Sequence, residues 1–126
     1  MTTEPIVVLT RGAVVGLDAG SGAERWRHDV GAVLEPKRPI VIGDVVVVEE
    51  VLGVTALERS SGRVRWHLEL VRDDERDVAV VDDLVVIGSR GEVHAWALAD
   101  GHPRWSAPLQ GLGYWPVAVG RPPTAS

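Results

Sequence analysis

The sequence predicts an all-β chain built from propeller blades, and three observations predict it. The first is a repeat. The segments Val14–Trp26, Val54–Trp66 and Val93–Trp105 align without a gap, each with Gly at the ninth place (Gly22, Gly62, Gly101) and each ending in Arg-Trp. The second is the period. The Trp-to-Trp spacings are 40 and 39 residues, the length of one four-stranded blade. The third is composition. Short valine-rich runs separated by Gly and Asp turns dominate, and no long stretch has the 3.6-residue periodicity of an amphipathic helix.

Each unit reads as four short strands, A to D. Strand A is the Pro39–Gly43 type, repeated as Val78–Asp82 and as Pro116–Gly120. A tight turn at Gly43-Asp44 or Asp82-Asp83 leads into strand B, which is Val45–Val48 in the second unit, Ile6–Val8 in the first and Val85–Ile87 in the third. Continuous apolar character in A and B is expected of strands covered on both faces. Strand C starts at Val14, Val54 and Val93. Strand D carries the Trp, and its alternation, Trp66, Leu68 and Leu70 against Arg65, His67 and Glu69, gives one buried and one wetter face. Between C and D, Asp18 to Gly22 and Glu58 to Gly62 read as hairpin turns. The acid accepts backbone N–H bonds and Gly provides the positive φ.

The expected organisation is one domain, 1–126, of three repeats at approximately 4–43, 44–82 and 83–120, with a tail at 121–126. The first unit enters at strand B. An unclaimed A-type strand, Pro116–Gly120, stands at the other end, so the three four-stranded units are circularly permuted. Completion by a second chain into a six-bladed ring follows, with itself as partner in a homodimer or, failing that, a complementary propeller half.

Phe is absent and Trp supplies five of the six aromatic residues, so large buried area must come from Trp. A net charge of −5 without a basic run argues against nucleic acid and against anionic membranes. Cysteine is absent, which excludes disulfides and thiolate metal sites. The start Met-Thr-Thr-Glu-Pro does not read as a signal peptide, and the expected location is cytoplasmic, or periplasmic or extracellular for a trimmed fragment.

Valine-rich strand, Ala-Leu-Asp or its variant, Ser/Thr-Gly, three residues and Trp: this pattern resembles the PQQ-like repeat. That repeat builds the propellers of quinoprotein dehydrogenases and of the lipoprotein subunit of the bacterial outer-membrane β-barrel assembly machine. The resemblance runs from about Glu4 to Gly120. It implies that Trp26, Trp66 and Trp105 dock between neighbouring blades, with Gly22, Gly62 and Gly101 in the accompanying turns. The third copy departs from the others, with Trp96 where they have Leu17 and Leu57. Enzymes of this class hold a quinone on the propeller axis with a calcium-like ion, a catalytic carboxylate and often a disulfide of adjacent cysteines. None of these maps residue by residue onto this chain, and Asp73-Asp74 and Asp82-Asp83 sit at turn-like positions. No cofactor, no metal and no catalytic residue is expected.

The remaining chemistry-bearing residues have plainer readings. His28, His67, His94 and His102 lack ligand spacing and read as surface or strand-edge histidines. Arg25, Arg65 and Arg104 read as solvent-facing strand positions whose stems cover apolar surface. Tyr114 and Trp115, with Val117 and Val119 after them, are candidate interface residues beside the proposed closing strand. Neither a Gly-x-Ser-x-Gly elbow nor a phosphate loop occurs. The expectation is a non-catalytic binding, scaffolding or self-assembling module. The alternative is a quinone-dependent dehydrogenase-like subunit or a fragment of a larger propeller.

Overall fold

The computed structural model describes residues 4–10, 12–30, 37–71, 76–109 and 117–120. Among them there is no helix. Eleven strands form three antiparallel sheets, in two compact units, Met1–Arg72 and Asp73–Ser126.

The first unit holds two sheets. One has three strands in sequence order, β1 (Ile6–Thr10), β2 (Ala13–Leu17) and β3 (Glu24–Asp29). The other has four, β4 (Ile40–Ile42), β5 (Val45–Glu50), β6 (Gly53–Glu58) and β7 (Val64–Glu69). The second unit holds one four-stranded sheet, β8 (Asp77–Val81), β9 (Leu84–Ser89), β10 (Glu92–Ala97) and β11 (Pro103–Pro108). These are blades of a β-propeller, and the first of them has three strands among the described residues. The central strands are the valine-rich ones, and Val45 to Val48 are all buried. The outer strands β3 and β7 alternate and bury only their Trp over the same stretch.

The turn between the third and fourth strands has one geometry in all three blades. The Gly N–H donates to the carbonyl four residues back: Gly22 to Asp18 at 2.8 Å, Gly62 to Glu58 at 2.7 Å and Gly101 to Ala97 at 2.8 Å. The φ angles of these glycines are +77°, +76° and +74°, in the left-handed region where a Cβ is strained. The Asp18 carboxylate accepts from Gly20 N–H at 2.9 Å, as an acid in such a turn should.

A bulge follows at the same place in each blade. Register shifts between Gly16 and Leu17, between Ala56 and Leu57, and between Ala95 and Trp96. The residue skipped on the outer strand is Arg25, Arg65 or Arg104. The repeated arginine is therefore the extra residue of a β-bulge, re-aimed away from the ladder. In the second and third blades it points to the acid of the inner turn of its own sheet, with Arg65 to Asp44 and Arg104 to Asp83 both 3.9 Å. These are exposed pairs of small energetic consequence.

The expected A-type strand near the end lies partly outside the described residues, because Pro116 is among those not described. Val117–Gly120 joins no sheet of its own chain. It lies instead against the third blade, where Asp77 Oδ2 accepts the Val119 N–H at 2.7 Å and Val117 covers Gly88.

Candidate functional site

The first unit contains one complete seam between two blades, and its geometry follows from strand alternation. Side chains two apart share a face of a strand. The pairings Val7–Gly16, Leu9–Val14 and Gly16–Trp26 put Val7, Leu9, Val14, Gly16 and Trp26 on one face of the first blade. The pairings Val46–Leu57 and Val48–Thr55 put those four residues on one face of the second. The two faces meet: Val14, Trp26, Val30, Val46, Val48 and Leu57 form one buried cluster, with Val7 and Leu9 against it.

Trp26 anchors this seam. Its indole N–H donates to the Arg59 carbonyl at 2.7 Å, so the buried ring leaves no polar atom unmet. On its own blade it lies over Gly16, where an added Cβ would come within 2.3 Å of the ring. On the next blade it lies over Gly62, where a Cβ would come within 2.5 Å. Gly62 therefore meets two demands, a left-handed turn and the close approach of an aromatic face. Arg59 ties the same turn back to the first blade, its Nε donating to the Pro5 carbonyl at 3.0 Å.

The other expected docking residues lie as follows. Trp66 is buried and pairs across strands with Ala56. Trp105 pairs with Ala95 but is 48% exposed. Gly22 has the conformation of Gly62, yet the space over it is open to 4 Å. Val117 and Val119 lie on the third blade, whereas Tyr114 and Trp115 lie outside the described residues. Two features of the seam escaped the sequence reading. One is the small residue opposite each Trp (Gly16, Ala56, Ala95), visible in the alignment as a repeated small side chain ten residues before the Trp. The other is the Arg59 acceptor, which is a backbone carbonyl and leaves no mark in side-chain identity.

Two polar arrangements remain, the first of them on the seam face of the second blade. In the second blade Thr55 Oγ1 is 2.7 Å from His67 Nδ1 and donates to Glu50 Oε2 at 2.5 Å. In the third, Ser106 Oγ is 2.7 Å from His94 Nδ1, and His94 Nε2 is 2.9 Å from Glu92 Oε2. The latter has the hydrogen-bond order of nucleophile, base and orienting acid. Repeat equivalence gives a simpler account. Thr55–His67 and His94–Ser106 occupy the same cross-strand pair with hydroxyl and imidazole exchanged. What recurs is a hydroxyl–imidazole contact across a sheet with an acid beside it: Glu50 accepts from the Thr55 hydroxyl and lies 3.5 Å from His67 Nδ1, while Glu92 lies against the His94 imidazole. At the surface of the first blade, Arg27 donates to Glu24 at 2.6 Å, which holds the Glu24 carboxyl below and the Arg27 guanidinium above their ordinary pKa values.

A family model described as outer membrane protein assembly factor BamB matches residues 3–113. Among solved structures, BamB from Moraxella catarrhalis is 27% identical over 83% of this chain and 34% of its own, with a TM-score of 0.66. A europium-containing methanol dehydrogenase is 18% identical over 87% of this chain and 24% of its own, with a TM-score of 0.72. A quinohemoprotein alcohol dehydrogenase from Pseudomonas putida is 21% identical over 84% and 21%, with a TM-score of 0.60. The chain thus spans about a third or less of the length of these structures. No curated protein matches the sequence.

Proposed function

The chain belongs to the PQQ-like repeat family of β-propellers, and we propose that it is a non-catalytic binding or scaffolding module of that family. One observation carries this reading: the repeated residues are used up in building blades. Trp26 spends its ring and its N–H on the next blade, and Gly62 makes room for that ring. The repeated arginines are bulge residues, and the turn acid Asp18 caps its own backbone. What remains for function is surface, which suits protein partners. The description of the matching family, an assembly factor, agrees with that use.

The dehydrogenases among the structural relatives raise the question of a quinone and a metal ion. The described residues offer no grouped donor set for them. Among the described residues no three His, Cys, Asp or Glu side chains are grouped to hold a metal, and Asp18, Asp44 and Asp77 each hold a backbone N–H. Titration with pyrroloquinoline quinone and calcium, followed by absorbance and melting temperature, tests the reading. Neither signal should change. Stoichiometric uptake with a rise in melting temperature would replace the module with a quinone enzyme's subunit.

A further inference from the structure

The closed seam has two halves, and each half recurs in the chain in a copy that is exposed or open. The giving half is a blade face with a Trp over a small residue. It recurs on the third blade, where Val86, Gly88, Ala95 and Trp105 hold the positions of Val7, Leu9, Gly16 and Trp26 by register. There Trp105 is half exposed. The receiving half is a blade face with a turn glycine beside an accepting carbonyl. It recurs on the first blade, where Ile6, Val8 and Gly22 hold the positions of Val46, Val48 and Gly62, and the Ala19 carbonyl holds that of Arg59. There Ile6 and Val8 are exposed and the space over Gly22 is open.

We propose that this chain binds a second copy of itself head to tail, with the Trp105 indole of each copy seated over Gly22 of the other and donating to its Ala19 carbonyl. The fit is already demonstrated once within the chain. Gly22 has φ +77° against +76° at Gly62, so the turn that must receive the indole is preformed. Both halves belong to one sequence, so a pair that makes the contact twice leaves neither half over.

The segment Val117–Gly120 supports the same occupant. It aligns with β4, and it already lies on the face that carries Trp105, held at Gly88 and Asp77. In the second blade Ile40 pairs with Val47 and Val41 with Val46. The equivalent pairs are Val117 with Val7 and Ala118 with Ile6 of the second copy, along the free edge of its β1. An apolar edge of this kind is a site for strand addition. Self-association is independent of the proposed non-catalytic role.

The test is the mass of the full chain in solution over a wide range of concentration. The chain should have twice its own mass. Trp105→Ala should raise the dissociation constant by roughly 100-fold or more, since both contacts lose an aromatic anchor. Trp105 is half exposed within its own chain, so this variant should keep the circular dichroism of the native fold. Gly22→Ala should also weaken the pair by blocking the seat. Mixing the two variants should restore association, because a mixed pair has one contact with both Trp105 and Gly22 intact. A monomer at every concentration overturns the proposal, as does Trp105→Ala with unchanged assembly. Failure of the mixture to associate better than either variant alone overturns the head-to-tail arrangement.

Discussion

Equivalent positions in the first and second blades have opposite fates. Val46 and Val48 are wholly buried, while Ile6 and Val8, at the same places one repeat earlier, are 51% and 38% exposed. Trp26 and Trp105 differ in the same way, at 8% and 48%. The strands, their register and their bulges are alike, so local structure does not explain the difference. What sets Val46, Val48 and Trp26 apart is the facing blade of their own unit, which buries them. A blade is thus a unit whose hydrophobic faces are buried by neighbours, so its stability includes a contribution from each seam.

The closed seam should be far more sensitive than the open faces. Trp26→Ala should cost about 3–5 kcal/mol in chemical denaturation, as for other buried Trp truncations. A loss as small as that of Trp105→Ala measured in dilute solution would break the comparison. Gly62→Ala against Gly22→Ala sharpens it. Both place a Cβ at a left-handed φ, at about 1–2 kcal/mol each. Only the Gly62 variant drives that Cβ into the Trp26 ring, which should add about 1–3 kcal/mol. Equal melting temperatures for the two in dilute solution would mean that the ring does not hold its place over Gly62.

Smaller effects belong to the ends. Asp77→Ala removes the acceptor of the Val119 N–H and should speed hydrogen exchange at that amide, for about 1 kcal/mol. Unchanged exchange at Val119 would detach the last segment from the third blade. At the bottom of the scale is the exposed Glu24–Arg27 pair. The Glu24 carboxyl is held below its ordinary range, chiefly by the Arg27 hydrogen bond, so the pair is intact above that range and is lost as pH falls through the lowered value. Both groups are in water, and Glu24→Gln should leave the melting temperature at neutral pH where it was. A clear fall would give this surface pair a role that its exposure argues against.

Much of the blade was legible because repetition shows which positions share a constraint. Val14, Gly22 and Trp26 recur at fixed offsets, and the structure gives them a central strand, a left-handed turn and a seam. The repeated arginine was legible as a position but not as a bulge, because a ladder irregularity depends on the partner strand. The hydroxyl–imidazole pairs of Thr55 with His67 and His94 with Ser106 were hidden for a related reason. The two residues are 12 apart and exchange places between blades, so no aligned column shows them.

The sequence by itself determined the unit: four short strands, a Gly-bearing turn, and a Trp at the close of each repeat. Strand period, turn chemistry and propensity act over a few residues, and a linear pattern records them. Only the tertiary structure decided which copies of that unit are finished. Burial of Trp26, the open space over Gly22 and the exposure of Trp105 depend on what covers each face, and the repeated local pattern is silent on that.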